Sequence, residues 1–418
     1  GYPGGGGHGM TPRLLSGSGR VELGGATWFA RLDVRQHVEL LNQGKRAFDT
    51  RAQRRYVEAV PREGVFDDQP MNLSEYIWGP VPEDVLAQAH REGRFAWLRG
   101  VPHDEAWKHY VALRDGGAPG AFFEAQALMR AWMAMNPEGV KALAQAMRDG
   151  AFDESAQSQI VLAMAKSGSP VAAAALRAMA LDGALGENLR VQATSALADL
   201  RAPTADTVDA LTRLASRGEG VSEHDLVGST ATMALGSLMR DHPGYAPVAE
   251  PARAYLEQVL TEDDPVRLAE GLYAVGNAAD EVFLPQIHAL AGHVEPNVRA
   301  AAAHATRRMS REATAGLLGD LLREDPAPVV VEEIAMAHQE QLALTKGRLT
   351  GREISLYRTK LPSAPLKTRI EVVRTLGAVA PIQPEAQGVL AWWFHHETEA
   401  QVREMIGRFV PVDQLAVR

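Results

Sequence analysis

The sequence predicts a mainly α-helical protein, in which a small antiparallel β region precedes an α-solenoid of stacked helix pairs. Aromatic residues make up only 6% of the 418 residues, and alanine-rich runs such as 172–175 and 300–303 recur. This composition favours closely packed helices over a β-rich core. Pairs of an acidic residue and a proline also return about every 30 residues, and a period of that length is typical of helical repeats.

One segment near the start alternates in the way of a half-buried strand. The even positions of 28–40 are apolar apart from Gln36, and most odd positions are polar. This period of two predicts a strand with one solvated face. A partner strand is predicted at 20–23, because Gly24-Gly25 is a two-residue hairpin signal.

These patterns divide the chain into three segments. Residues 1–18 are rich in glycine and are predicted to form a flexible lead. Residues 19–81 hold the β region and an irregular crossover, with 46–60 as either a third strand or a short helix. Residues 82–418 are predicted to form the solenoid, with roughly eight helix pairs.

Three helix starts in the predicted solenoid share a pattern and a spacing. Each of the pairs 264–265, 295–296 and 325–326 is an acidic residue followed by proline. Proline at the first helical position loses no hydrogen bond, and an acidic residue suits the positive end of the helix dipole. A spacing of about 30 residues leaves room for two helices in each repeat, and each pair can bury its apolar stripe only against its neighbours.

The residues at these starts resemble HEAT repeats. Residues 295–302 fit the acid-Pro-x-Val-Arg-x-x-Ala phrase of that class, whereas 264–269 lack the spacer before the valine. The arginine that follows the valine, Arg267 or Arg299, is predicted to reach an acidic group or the carbonyls of the adjacent turn. That role is structural, and the resemblance implies a fold without specifying a function.

A second resemblance is narrower. Residues 229–238, residues 272–279 and the segment from Val298 to Arg308 are similar to the helical domain of the large lipid-transfer proteins, the vitellogenin and microsomal-triglyceride-transfer family. Members have a similar Gly-Ser-Leu segment and then a similar Leu-Gly-Asn-Ala segment, where this chain has Val275 in place of leucine. Across both resemblances, the predicted structural repeat positions are Asp264, Arg267, Asn277, Glu295 and Arg299.

The lipid-transfer resemblance implies an arch that holds a lipid-bearing or partner domain on its concave face. Members have a larger β region before the helices and build their lipid cavity from further β-sheets downstream. The resemblance therefore implies that this chain is a piece of a longer protein, or an arch without the lipid-holding sheets. It also implies an exported or cell-surface protein, whereas a general HEAT scaffold would be cytoplasmic.

The sequence offers no convincing catalytic, metal or cofactor site. Cysteine is absent, which excludes thiolate ligands and cysteine nucleophiles. His395 and His396 beside Glu397 and Glu399 are predicted to be a solvated helix end, because adjacent helical histidines point about 100° apart. The formal net charge of −9 argues against a nucleic-acid partner, and no stretch approaches the ~20 apolar residues of a membrane span.

Aromatic residues cluster at two places. Trp392, Trp393 and Phe394 cannot all face one helix stripe, so this end is a possible contact site for a partner or lipid. Seven others lie near the predicted junction of sheet and helices, where they form either a core or a docking surface. They are Phe95, Trp97, Trp107, Tyr110, Phe122, Phe123 and Trp132.

Three hypotheses for function follow. The first is a non-catalytic helical arch of the lipid-transfer kind, whose partner is a protein or downstream β-sheet domain and possibly a lipid. The second is a general HEAT-repeat scaffold that binds proteins without lipid. The third, which has the least support, is an enzyme in which the solenoid supports the catalytic site.

Overall fold

The computed structural model describes six ranges of the chain: 10–24, 27–42, 45–57, 94–117, 120–216 and 225–415. In the first three ranges only the backbone is described. The chain forms two compact units, and the boundary between them follows Pro80 in the sequence. The predicted crossover and the predicted start of the solenoid at residue 82 lie outside the described residues.

The first unit contains three backbone strands, β1 (Met10–Gly24), β2 (Thr27–Asn42) and β3 (Lys45–Val57). They pair antiparallel in the order β1-β2-β3. The first strand begins within the segment predicted as a flexible lead. The part of the chain that is described with side chains contains no strand, so the packing of a small β region remains a prediction.

The second unit is a succession of helices, and the described residues contain nineteen α-helices. They are α1 His103–Asp115, α2 Ala121–Met135, α3 Pro137–Arg148, α4 Glu154–Lys166, α5 Pro170–Leu181, α6 Glu187–Ala198, α7 Ala205–Ala215, α8 Leu226–Asp241, α9 Ala246–Val259, α10 Pro265–Ala278, α11 Leu284–Leu290, α12 Pro296–Ala305, α13 Arg311–Glu324, α14 Pro328–Thr345, α15 Gly351–Lys360, α16 Leu366–Val379, α17 Pro384–Phe394, α18 Ala400–Gly407 and α19 Val412–Leu415. None of the described helices is long and apolar enough to cross a membrane.

The helices form two layers. The odd-numbered helices make a first layer and the even-numbered helices a second layer, in which each helix contacts the next without a break from α2 to α18. Most helices also pack on a sequence neighbour in the other layer, so the apolar core runs between the layers. A stack of this kind is an α-solenoid, as the sequence predicts.

The acid-Pro pairs start two of the three helices at the predicted residue. Helix α10 begins at Pro265, where the Asp264 carboxylate accepts a hydrogen bond of 2.9 Å from Val266 N, and α12 begins at Pro296. The prediction for the third start is wrong by two residues. Helix α14 begins at Pro328 rather than Pro326. Its Asp325 carboxylate accepts from Ala327 N in the turn before the helix, so a second proline takes the first helical position.

Candidate protein-binding face

The repeat arginines hold successive repeats together. Arg299 donates from Nε and Nη2 to the Asp325 carboxylate at 2.6 and 3.0 Å, and from Nη1 to the carbonyls of His293 and Val294. Burial alone would raise the pKa of Asp325, but the hydrogen bonds from Arg299 and Ala327 N hold that pKa below its ordinary value. Arg299 therefore ties the start of one repeat to the start of the next.

Arg267 faces into the stack as well. Its guanidinium lies 3.0 Å from Glu270 Oε2 and 3.0 Å from the Tyr255 hydroxyl, and 3.2 Å from Glu262 Oε2. The residue is only 5% exposed. A buried guanidinium with this many partners stabilises the repeat and is not accessible to a ligand.

Asn277 connects three helices of the second layer. Its side-chain amide donates to the Met233 carbonyl of α8, and its Oδ1 accepts a 2.5 Å hydrogen bond from Arg307 at the end of α12. The glycine before it is equally constrained. A Cβ on Gly276 would lie 2.1 Å from Arg307 Nη1 and 3.1 Å from Ala305 Cα.

The other motif of the second resemblance has the same physical explanation. A Cβ on Gly236 would lie 1.9 Å from the Ala274 carbonyl oxygen, so α8 and α10 approach each other backbone to backbone. Residues 229–238 and 272–279 thus contain the glycines that allow three neighbouring helices to pack closely. These two segments are explained by packing alone, without reference to a lipid.

The outward side of the second layer is an ordered polar surface with one aromatic ring, which we call the second-layer face. It comprises Ser229, Met233, Glu270, Tyr273, His304, Arg308, Glu333 and Glu340. All eight are half-buried, because neighbouring helices of the layer cover their stems.

Contacts between helices hold this face in one arrangement. The Ser229 hydroxyl of α8 donates to Glu270 of α10 at 2.5 Å. The ring of Tyr273 meets His304 edge-on, with 4.6 Å between centroids, and His304 Nδ1 lies 2.8 Å from Glu333 Oε2 of α14. Burial and the nearby Glu333 raise the pKa of Tyr273. Side chains fixed in this way lose less conformational entropy when a partner binds.

The C-terminal aromatic residues are largely covered. Trp393 is buried and donates from Nε1 to Glu397 Oε2 at 2.9 Å. Trp392 is half-buried beneath the guanidinium of Arg358, which lies 4.8 Å from the ring centroid, and Phe394 is half-buried against the core. Trp393 is therefore inaccessible to a partner, and the predicted contact site at this end reduces to Trp392 and Phe394.

The aromatic residues at the start of the second unit divide into buried and exposed side chains. Three of them, Phe95, Tyr110 and Trp132, are buried in the core, and Trp107 is half-buried. Trp97, Phe122 and Phe123 are exposed. The core interpretation therefore holds for the buried residues, and a docking role stays a prediction for the exposed ones.

The candidate metal ligands near the C-terminus have different environments. His395 and His396 are exposed, but the Glu397 carboxylate is buried and accepts two hydrogen bonds from Arg369, at 2.9 and 3.2 Å. The described residues contain no group of three or more His, Cys, Asp or Glu placed to hold a metal ion.

Sequence reasoning missed a buried polar cluster between α13, α14 and α15. His338 Nε2 lies 3.3 Å from Glu353 Oε1 and its Nδ1 lies 2.8 Å from the Tyr357 hydroxyl, while Arg311 donates to both Glu353 oxygens at 2.9 Å. Burial would raise the pKa of Glu353, but the hydrogen bond from His338 and its other partners hold it at about 2. These residues are far apart in sequence or follow no periodic pattern, so only the three-dimensional packing reveals the cluster.

Comparison with known proteins gives matches among solved structures. No family model and no curated protein matches the sequence. Among solved structures, that of Kap121p matches with 13% identity and a TM-score of 0.43, and those of Kap121p bound to Pho4p and of the karyopherin Kap121p bound to the SUMO protease Ulp1p match with 13% and 14% identity and TM-scores of 0.44. Each covers 84% of this chain, which spans 43% of the length of Kap121p. Nothing in the comparisons supports the lipid-transfer resemblance.

Proposed function

We propose that this chain is a non-catalytic scaffold that binds a protein partner on the second-layer face. The observation that carries the proposal is the ordering of that face by contacts between successive helices, from Ser229–Glu270 to His304–Glu333. Tyrosine and arginine contribute disproportionately to binding energy at protein interfaces. Tyr273 and Arg308 belong to the face, and both are half-buried beside neighbouring side chains.

The form of the stack also favours a protein partner. A small molecule is usually held in an enclosed cavity, whereas a cleft of about 590 Å³ in this unit is open to solvent and is lined by apolar and charged residues together, including Leu317, Asp320 and Glu324. A two-layer stack presents an extended surface, and affinity then comes from many shallow contacts. A second protein supplies a surface of matching extent.

Site-specific photo-crosslinking tests this proposal with a matched pair of tyrosines. Tyr273 lies on the second-layer face, and Tyr245, which is 47% exposed, precedes α9 in the first layer. Each is replaced separately by benzoyl-phenylalanine, and the crosslinked products from the source cells are identified by mass spectrometry. The identified protein is then purified and titrated with the unmodified chain.

The expected result is a small set of protein adducts from position 273 and none of these from position 245, followed by saturable binding of the purified partner. Equal adducts from both positions, or a candidate that fails to bind when purified, would contradict the proposal. A photoactive residue at 273 also perturbs its contact with His304, so a second probe at Met233 provides an independent position on the same face.

The lipid-bearing arch rests on the sequence resemblance alone. It differs from the scaffold in one measurable respect, because lipid would remain with the natively purified full-length protein. Mass spectrometry of an organic extract measures this directly. Lipid recovered in stoichiometric amount from several expression hosts would favour the arch. Lipid-free extracts would contradict the arch and favour the protein scaffold.

A further inference from the structure

Four side chains of the second layer occupy equivalent places on successive helices. Met233 is the eighth residue of α8, and Tyr273, His304 and Met336 are the ninth residues of α10, α12 and α14. We call these four side chains the column. Met336 is 40% exposed and the other three are half-buried, so all four reach the surface of the layer.

Contacts between the helices place the column in one line. The ring of Tyr273 meets that of His304 with 4.6 Å between centroids. Met233 Sδ lies 3.8 Å from Asn277 Nδ2, one turn beyond Tyr273 on α10. His304 Nδ1 lies 2.8 Å from Glu333 Oε2, about one turn before the column residue of α14. The column therefore runs from helix to helix across the layer.

The line loses its apolar character at the next helix on each side. The ninth residues of those helices are Ser195 in α6 and Arg374 in α16. The column thus crosses four helices, and three of its four residues are methionine or tyrosine. Methionine is flexible and adapts to the shape of a bound apolar group, and tyrosine offers a large ring at a small cost in conformational entropy.

Charged side chains beside the column already have partners within the protein. Glu270 lies 3.0 Å from Arg267, and Glu340 lies 2.5 Å from Arg308. A partner that brings a charge to this place would compete with one of these pairs. An uncharged segment complements flanks that are neutralised in this way, and the energy of its binding then comes from apolar contact with the column.

We propose that the column binds an extended segment of the protein partner that adopts the polyproline II conformation and has an apolar residue at every third position. This rests on the proposed scaffold function and adds the chemistry of the partner. Packed helices lie about 8–10 Å apart. One turn of polyproline II contains three residues and advances about 9.3 Å. Every third side chain of such a segment therefore meets the next helix of the layer.

Other conformations of the segment fit the column less well. Side chains on one face of a β-strand recur about every 6.6 Å, so they fall out of step with the helices. An amphipathic α-helix buries a stripe at least about 100° wide, whereas the column is one side chain wide between charged neighbours. Three helix spacings amount to about 24–30 Å, and nine polyproline II steps amount to about 28 Å. A segment of about ten residues thus spans the column.

An uncharged peptide of four Leu-Pro-Pro units, capped at both ends and labelled with a neutral fluorophore, is the probe. Its affinity for the full chain is measured by anisotropy. One comparison peptide has the same composition with its leucines in a single block, and the other is an α-helical peptide with leucine at every seventh position. These two peptides test the spacing and the conformation separately.

Two variants remove apolar side chains from the column, Met336→Ser alone and Met233→Ser/Met336→Ser. The single variant changes a side chain that is 40% exposed, so its folding does not depend on the half-buried Met233. The matched control is Val282→Ser/Leu344→Ser, which removes two apolar side chains that are 49% and 64% exposed outside the column.

The expected result is saturable binding of the Leu-Pro-Pro peptide that weakens at least threefold in Met336→Ser, at least tenfold in the double variant and less than twofold in the control. The affinity should change less than twofold as NaCl rises from 0.05 to 0.5 M, because salt screens charges and the peptide has none.

Absence of binding, equal binding of the block peptide, tighter binding of the helical peptide, or equal loss in the column and control variants would overturn the proposal. Failure here would leave the crosslinks from position 273 intact, whereas loss of those crosslinks would refute the scaffold itself.

Discussion

At the scale of single residues, charges inside this protein are paired by contacts that cross from one helix to another. Arg299 with Asp325 and Arg311 with Glu353 are buried or mostly buried pairs. Removing one member of such a pair leaves the other charge without compensation, which costs more than the pair contributes. The sequence pattern predicts that the arginine after valine reaches an acidic group or nearby carbonyls, but it does not identify Asp325 as the partner of Arg299. It gives no sign of the second pair.

Replacing Glu353 by glutamine should lower the free energy of unfolding by about 3 kcal/mol at pH 7. The pKa of Glu353 is held at about 2, against an ordinary value of 4.5, and each pKa unit corresponds to about 1.4 kcal/mol. A depressed carboxyl pKa stabilises the fold fully above pH 4.5, and this contribution fades as the pH falls towards 2. Urea unfolding of both proteins between pH 7 and 2.5 measures the difference.

The control for this prediction is Glu404→Gln, because the exposed Glu404–Arg408 pair should contribute less than about 1 kcal/mol. A difference between wild type and Glu353→Gln that stays constant down to pH 2.5 would contradict the assigned role of Glu353. A difference that narrows below pH 4.5 is the expected result.

Adjacent tryptophans near the C-terminus should differ sharply in their effect on stability. Trp393→Ala removes a buried ring that donates to Glu397, and we expect a loss of about 3–5 kcal/mol. Trp392→Ala removes a half-buried ring under Arg358, and we expect a loss of about 1 kcal/mol. Thermal and urea unfolding measure both, and equal losses would show that the two side chains are buried alike.

At the scale of the helix, glycine decides how closely the second layer packs. A Cβ at Gly236 or Gly276 would collide with the neighbouring helix or its arginine. In contrast, Gly319 in α13 has open space where its Cβ would lie. Close packing therefore requires glycine at these two positions of the second layer, whereas packing does not require it at Gly319 in the first layer.

The substitution Gly236→Ala should destabilise the protein by about 1–3 kcal/mol, because α8 and α10 must move apart. The matched substitution Gly319→Ala should instead stabilise it by up to about 1 kcal/mol, because alanine is the better helix former and meets nothing. Chemical denaturation of the two variants is the measurement. Stabilisation by both would mean that the two helices are not in backbone contact.

The helix starts show which features of the fold can be predicted from the sequence. It locates α10 and α12 because Pro265 and Pro296 each stand at a first helical position, and that signal is local. It misplaces α14 because two prolines, Pro326 and Pro328, compete, and the choice depends on the contacts of Asp325 with Ala327 N and Arg299. Such contacts join residues of different repeats and cannot be found in a local pattern.

At the scale of the whole molecule, the second unit is a stack in which each helix pair contacts chiefly its neighbours. The period of about 30 residues predicts this stack from sequence. It does not predict the second-layer face, because Tyr273, His304 and Glu333 come together only when three repeats align.

Hydrogen–deuterium exchange of the complex with the crosslinked partner tests the central claim most directly. Protection is compared with and without the partner for each peptide from α6 to α16. The account predicts that added protection recurs about every 30 residues, in the second-layer helices α8, α10, α12 and α14, and is absent from α9, α11 and α13. Protection confined to one helix pair, or spread evenly over both layers, would contradict it.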